Sequence, residues 1–317
     1  MKGIAILVDD GEVRHLGLDE ARRRQGPGFV WVHVESDEGD ALPPIVSEDI
    51  PDVAANALVA TETRPRCERI DRGAIINIRG PAAVATDTSD RLVSIRMWVR
   101  AGEVDSVTRR PLAATASVMA LMEAGRILDP GDLVATFARE ISGALDPQVA
   151  DLGDQLDDCE SELEGANKFR LRAAIARIRS EAITFRRFVA PDRDALLALA
   201  AMDFDWLAED DRLHIREAAD RFARMAEELE AVRERAALLH EQLTDLHAEE
   251  IDQRSLVIAV VAFIFLPLTF ITGLLGMNVE GIPYAHSHWS FWGVVIFCLA
   301  VGLAVLAWFI RKRWIRR

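Results

Sequence analysis

Two long stretches without charge constrain the fold of this chain more than any other feature. Residues 256–275 and 289–310 contain no Asp, Glu, Lys, Arg or His. A helix of about 20 residues rises about 30 Å, which matches the hydrocarbon core of a bilayer. Trp289 and Trp308 lie near the ends of the second stretch, where the membrane interface favours indole rings. The sequence therefore predicts two C-terminal transmembrane helices.

The charges around these stretches predict how the chain is oriented. Residues 311–317 include five basic residues, and basic flanks stay on the cytoplasmic side. Because two spans return the chain to its starting side, we expect both termini to be cytoplasmic and residues 276–288 to face the opposite side. Residues 1–254 carry a net charge of −18. A domain this acidic attracts cations and argues against a nucleic-acid partner.

Residues 1–125 have the pattern of a cytoplasmic α/β domain. Short runs rich in β-branched residues predict strands, and glycine and proline separate them. These runs are residues 4–8, 29–34, 57–63, 74–78 and 92–99. Within the second run His33 alternates with valines, which is typical of a packed core histidine rather than a metal ligand. A helix is expected over residues 113–124.

Residues 126–207 are expected to form a cytoplasmic helical segment that begins near Pro130. Pro191 is expected to interrupt a helix there, because the residue before a proline resists helical geometry.

Residues 208–275 predict a long stalk helix that continues into the first membrane span. Apolar residues repeat with spacings of three and four, which is a coiled-coil seam that packs lengthwise against other helices. The seam is Phe222, Met225, Leu229, Val232, Ala236, Leu239, Leu243 and Leu246. No glycine or proline falls between positions 208 and 266. The alternative is two helices with a joint near residues 251–255.

The end of the first span carries a specific motif. Residues 265–278 read FLPLTFITGLLGMN, ending in Gly276, Met277 and Asn278. This sequence, followed by a second terminal span, resembles the CorA-type divalent-cation transporters. The resemblance implies an α+β cytoplasmic domain, a long helical stalk and two C-terminal spans, assembled as a homopentameric funnel in the cell inner membrane. The following residues, 281–283, read Gly-Ile-Pro and resemble the zinc-transporting branch, although Glu280 replaces a glycine that is usual there.

One chain with two spans cannot enclose a polar path, so several copies must surround an axis. The first span is the better pore helix because it carries polar positions. Thr269, Thr272 and Asn278 would form rings of oxygens, and apolar constrictions would come from Ile258, Ala262 and Leu266. The resemblance also places Ile258, Leu266, Thr269 and Asn278 in the pore. It makes Gly276, Met277 and Asn278 the ion entrance.

The first span holds no carboxylate, imidazole or thiolate that could replace the water around a divalent ion. Mg²⁺ dehydrates reluctantly and Zn²⁺ prefers nitrogen and sulfur, so a hydrated ion is expected to permeate. Pro267 frees one backbone carbonyl and is a candidate hinge. Glu280, His286 and His288 are candidate metal ligands in the loop, and the alternative is that these side chains are simply solvated.

The predicted function is transport of Zn²⁺, with Mg²⁺, Co²⁺ and Ni²⁺ as further candidates. The membrane potential would drive this transport, and the resemblance to the zinc-transporting branch implies a proton gradient as a second driving force. Alternatives are a Mg²⁺ or Co²⁺ channel of the same family, and a membrane-anchored coiled-coil scaffold or sensor. No P-loop, HExxH or GxSxG motif is present, so neither an enzyme nor a cofactor is expected. The expected partners are copies of the chain itself, the bilayer and divalent cations.

Overall fold

The chain divides into two compact units, an N-terminal unit (Met1–His240) and a C-terminal unit (Glu241–Arg317). The computed structural model describes residues 2–24, 26–36, 50–60, 64–84, 91–163, 168–277 and 288–311. In these ranges the N-terminal unit contains seven strands: β1 (Lys2–Asp9), β2 (Glu12–Leu16), β3 (Phe29–Glu35), β4 (Arg66–Ile70), β5 (Gly73–Pro81), β6 (Leu92–Arg100) and β7 (Glu103–Thr108). The helices are α1 (Leu18–Arg23), α2 (Asp52–Val59), α3 (Ala113–Glu123), α4 (Pro130–Ser161), α5 (Lys168–Ala201), α6 (Glu209–Leu275) and α7 (Ser290–Arg311).

The seven strands form one sheet in the order β2-β1-β3-β7-β6-β5-β4. Neighbouring strands are antiparallel except for β3 and β7, which run parallel with Val30 opposite Glu103. Helices α1 and α2 cover one face of the sheet. On the other face, Trp31 of β3 meets Phe137 of α4 in an edge-to-face ring contact at 5.7 Å. The predicted strands near residues 4–8, 29–34, 74–78 and 92–99 are confirmed.

The strand expected over residues 57–63 is wrong, because residues up to Val59 belong to α2. Ala54 and Leu58 lie one helical turn apart and are fully buried. They pack with Ile75 of β5 and Trp98 of β6. A helical period therefore buries these apolar side chains better than strand alternation would. Residues 61–63 lie outside the described ranges.

The expected break at Pro191 is also wrong, because α5 runs through it. The next residue, Asp192, is fully buried, and its Oδ1 accepts the backbone N–H of Arg79 at 3.0 Å. This bond ties α5 to β5 beyond the last β4 pairing, which joins Arg66 and Asn77. This tertiary contact directly after the proline helps to keep α5 continuous. The helix expected over residues 113–124 is confirmed as α3.

Helix α6 is continuous over 67 residues, so the alternative of a joint near residues 251–255 is not observed. Six of its eight seam residues, Phe222 through Leu239, belong to the N-terminal unit and are at most 4% exposed, whereas Leu246 is 37% exposed. Arg235 of α6 donates to Asp157 and Glu160 of α4 at 2.6 and 2.7 Å. Arg186 of α5 pairs with Glu230 at 2.9 Å. The predicted lengthwise packing is therefore confirmed within the N-terminal unit, and the α/β unit, long helix and two apolar C-terminal helices agree with the predicted fold class.

Candidate ion pathway

The two apolar helices of the C-terminal unit pack side by side. The end of α6 and the whole of α7 are long and apolar enough to cross a membrane. The rings of Phe263 and Phe309 meet edge to face at 6.1 Å. Val260 and Phe309 are the most buried residues of this pair, at 6% and 8% exposure. Because residues 256–275 of α6 and 290–309 of α7 carry no charge, apolar contacts hold these two segments together.

An apolar groove of about 560 Å³ lies between these helices. Ile264 and Leu268 of α6 line one side, and Cys298 and Gly302 of α7 line the other. Because almost all of its surface is hydrocarbon, the groove offers nothing to the water shell of a cation. The groove itself is therefore a poor path for a hydrated cation.

The residues predicted to line a pore lie on the side of α6 that is turned away from α7. Ile258 is 69% exposed and Leu266 is 71% exposed. Ala262 and Thr269 are exposed as well. With 100° of rotation per residue these four positions form one stripe, nearly opposite to Val260, Ile264 and Leu268. The stripe is thus free to meet other molecules.

Thr272 lies at the margin of this stripe and also borders the groove. Its hydroxyl lies 3.0 Å from the carbonyl oxygen of Leu268 and 3.2 Å from that of Thr269. These bonds leave the lone pairs of the hydroxyl oxygen available to a hydrated ion. Pro267 lies inside α6, where it removes one helical N–H donor.

The helix ends at the predicted entrance. The backbone N–H of Gly276 donates to the carbonyl oxygen of Thr272 at 2.9 Å and closes the last turn. A Cβ at position 276 would lie 3.0 Å from the same oxygen, so glycine suits this position. Met277 is 49% exposed, and His288 is exposed just before α7. Asn278, Glu280 and His286 lie outside the described residues, as do residues 312–317.

A second group of polar residues lies in the N-terminal unit, and of these the sequence pointed only to Asp211, in the acidic run of residues 203–211. Oxygens of Asp129, Asp132 and Asp211 lie within 4.8 Å of one another beside a cavity of about 460 Å³. Carboxylates in this arrangement are able to hold a metal ion. They also cap helices, since Asp129 Oδ1 accepts the N–H of Asp132 at 2.9 Å and Asp211 Oδ2 accepts that of Ala208 at 2.9 Å. Burial raises the pKa of Asp211 to about 7, and the nearby charge of Asp129 contributes to the increase.

An α/β unit and a long helix whose apolar end packs beside a second apolar helix have the architecture of an integral membrane protein. A family model described as "CorA-like Mg2+ transporter protein" matches residues 26–313. The chain belongs to this family of divalent-cation transporters. The resemblance inferred from Gly276, Met277 and Asn278 is therefore confirmed.

Individual relatives agree with this assignment. The zinc transport protein ZntB of Pectobacterium carotovorum subsp. carotovorum (strain PC1) is 29% identical over 96% of this chain and 98% of its own length. The structure of the full-length CmaX protein has a TM-score of 0.81 at 27% identity, covering 98% of both chains. The CorA magnesium transporter of Methanocaldococcus jannaschii has a TM-score of 0.82 at 17% identity, covering 99% of both chains, and supports the fold alone.

Proposed function

We propose that this chain forms a homopentamer that moves hydrated Zn²⁺ across the inner membrane through a central pore. The observation that carries the choice of zinc is the similarity, over 96% of the chain, to a protein named as a zinc transport protein. The run Gly281-Ile282-Pro283 supports the same branch of the family. The family description, which names Mg²⁺, favours Mg²⁺ as the second candidate ion.

The exposed stripe on α6 supports a pore between copies of the chain. A stripe of Ile258, Ala262, Leu266 and Thr269 turned away from α7 has no partner within the described part of one chain. If copies surround an axis with these stripes inward, Thr269 contributes a ring of hydroxyls and Leu266 an apolar constriction. The number five comes from the family resemblance.

The chemistry of this stripe supports passage of an ion that keeps its water. Hydroxyls and backbone carbonyls accept hydrogen bonds from coordinated water, whereas no side chain of the stripe is a good direct ligand for Zn²⁺. Asn278 would bind the water shell at the entrance. Loop residues Glu280, His286 and His288 would concentrate cations there.

The membrane potential supplies a driving force for this import. A divalent ion that enters a cell with a negative interior gains about 4.6 kcal/mol per 100 mV. This direction requires the N-terminal unit to be cytoplasmic, in agreement with the basic residues 311–317. A proton gradient would add to the driving force.

Liposomes that contain a zinc-sensitive dye test this proposal. The wild-type protein should admit Zn²⁺ when the interior is negative, and Asn278→Ala should reduce the influx at least tenfold. The same vesicles with Mg²⁺, and with an imposed pH gradient, measure ion preference and proton coupling. Absence of Zn²⁺ influx, or equal influx through Asn278→Ala, would refute the pore assignment.

A matched pair of leucine variants tests the stripe itself. Leu266 lies on the stripe, whereas Leu274 lies on another side of the same helix and is also exposed, at 50%. Leu266→Ala should widen the constriction and raise the influx several-fold, while Leu274→Ala should leave it unchanged. Equal effects of the two substitutions would exclude this stripe as the pore lining.

A further inference from the structure

The apolar groove between α6 and α7 opens on one flank of the stripe formed by residues 258, 262, 266 and 269. On α6 the wall of the groove includes Ile264, Leu268 and Thr272, and on α7 it includes Cys298 and Gly302. A Cβ at Gly302 would lie 3.9 Å from Ile264 Cγ2, so Ile264 is turned towards α7. Thr272, in contrast, lies at the margin of the stripe. The groove therefore extends from the helix contact to one edge of the stripe.

Phe270 is a large exposed side chain on the other flank of the same stripe. Its exposed fraction is 69%. At 100° per residue, Phe270 lies about 85° to one side of the centre of the stripe and Thr272 lies about 75° to the other side. In a ring of copies with the stripes inward, one flank of each α6 faces the next copy and the other flank faces the previous copy. The groove of one copy therefore faces the Phe270 flank of its neighbour.

Phe270 also lies at the same depth in the membrane as the groove. Because Ile264 meets Gly302 and the two spans run in opposite directions, Leu268 and Cys298 share a level four residues further along α6 and four residues back along α7. Phe270 lies two residues beyond Leu268, which is about 3 Å along the helix axis. Rotation about an axis normal to the membrane keeps equivalent residues at equal depth. Phe270 of a neighbouring copy is thus level with the part of the groove beside Cys298.

The surface of the groove suits an aromatic ring. Its volume of about 560 Å³ accommodates a phenyl group, and its lining is almost entirely hydrocarbon. The hydroxyl of Thr272 already donates within α6, to the carbonyl oxygen of Leu268 at 3.0 Å, so an apolar occupant does not cost this bond. Helices associate in lipid through close packing rather than through exclusion of water. A phenyl ring has few rotatable bonds, whereas a lipid acyl chain has many and loses more conformational freedom when it is held in a groove.

We propose that Phe270 of one copy packs into the groove between α6 and α7 of the next copy, and that this contact repeats around the ring. This inference rests on the homo-oligomer of the proposed function. Each copy supplies a ring on one flank and a groove on the other, so the contact is head-to-tail and closes a cycle rather than a two-fold dimer. It also keeps the stripe facing the axis, because Phe270 and the groove lie on either side of it.

Cysteine cross-linking in membranes tests this contact. Phe270→Cys is combined with the native Cys298, and Cys67→Ala and Cys159→Ala remove the other two cysteines of the chain. Oxidation should join position 270 of one copy to Cys298 of the next, which gives a ladder of covalent multimers above the dimer. Val261→Cys is the matched control, because Val261 is 48% exposed but lies on the groove side of the stripe. It should give no ladder.

A second pair of variants keeps Phe270 and changes the groove. Gly302→Leu places a side chain in the groove and should reduce the oligomeric fraction several-fold, as measured by native mass spectrometry. Gly293→Leu is the matched control on the same helix, since a Cβ at Gly293 would meet no atom of the described residues within 4 Å. It should leave the oligomeric fraction unchanged. This pair decides the question if Phe270→Cys fails to assemble.

Several results would overturn the proposal. Cross-linking that stops at the dimer, or equal cross-linking from Val261→Cys, would exclude the head-to-tail contact. Equal oligomeric fractions in Gly302→Leu and Gly293→Leu would exclude the groove as its site. One phospholipid retained per chain and displaced by Gly302→Leu, with the oligomer intact, would assign the groove to a lipid acyl chain.

Zinc influx into liposomes separates this proposal from the proposed function. Influx through the wild-type protein without a ladder from Phe270→Cys would refute the contact and leave the pore in place. A complete ladder without influx would refute the transport of Zn²⁺ and leave the contact in place.

Discussion

Protonation of His33 is expected to destabilise the N-terminal unit as the pH falls from 7 to 5. The imidazole is 7% exposed in the sheet, with Nδ1 at 2.9 Å from Ser106 Oγ and the ring 5.7 Å from that of Trp31. Burial lowers the pKa of His33 to about 4. The unfolded chain, with a histidine pKa of about 6.5, therefore binds a proton that the folded chain excludes.

The sign and size follow from proton linkage. A group whose pKa is lowered in the folded state contributes its stability above the unfolded pKa and loses it as the pH falls towards the folded one. With pKa values of about 4 and about 6.5, the loss between pH 7 and pH 5 is about 2 kcal/mol. His33→Gln removes the titrating group and should remove that part of the pH dependence.

Urea unfolding of the detergent-solubilised full-length protein, followed by tryptophan fluorescence, measures this difference at both pH values. His15→Gln is the matched control, because the side chain of His15 is 59% exposed and pairs with Glu123 at 3.5 Å. It should keep the wild-type pH dependence. An equal loss of stability in wild type and His33→Gln between pH 7 and pH 5 would refute the reasoning.

Substitutions at three further sites, with two comparison variants, test the packing. Gly131→Ala should lower the melting temperature in calorimetry, because the added Cβ would lie 2.1 Å from Asp211 Oδ2. An unchanged melting temperature would mean that α4 and α6 move apart at this point without loss of stability. Asp192→Asn keeps the acceptor for the β5 N–H and should cost less than about 1 kcal/mol in urea unfolding. Asp192→Leu removes that acceptor and should cost about 1–3 kcal/mol, so equal effects would contradict a role for the bond. Leu229→Ala in the buried seam should cost about 2–5 kcal/mol by circular dichroism melts. Leu238→Ala, at a position 58% exposed, should change stability by less than about 0.5 kcal/mol. Similar losses of stability in Leu229→Ala and Leu238→Ala would argue against a buried seam on α6.

The sequence predicted those elements whose signal is local. Strands β3 and β6 are buried along nearly their whole length and are mostly apolar and rich in β-branched residues, so their composition identifies them. Strands β2 and β4 were missed because they are mostly exposed and carry charged residues, which gives no apolar alternation. Their place in the sheet depends on pairing with β1 and β5, and composition does not encode such pairing.

In the candidate site, too, the residues with a local sequence signal could be predicted and those that depend on distant contacts could not. The stripe on α6 follows from helical periodicity, and the exposure of Ile258 and Leu266 agrees with it. That these residues line a pore depends on other copies of the chain and stays a prediction. The cluster of Asp129, Asp132 and Asp211 could not be predicted, because it forms only where the first turns of α4 and α6 meet.

The parallel pairing of β3 with β7 has a consequence for synthesis of the chain on the ribosome. Val30 of β3 is able to pair with Glu103 of β7 only after Glu103 has been added to the chain, 73 residues later. At about 5–20 residues per second this delay lasts about 4–15 seconds. During that interval the three N-terminal strands, in the order β2-β1-β3, have an unpaired edge at β3, and unpaired edges favour pairing with other chains. Nascent chains stalled before residue 103 should therefore depend on chaperones more than chains stalled after β7 has emerged.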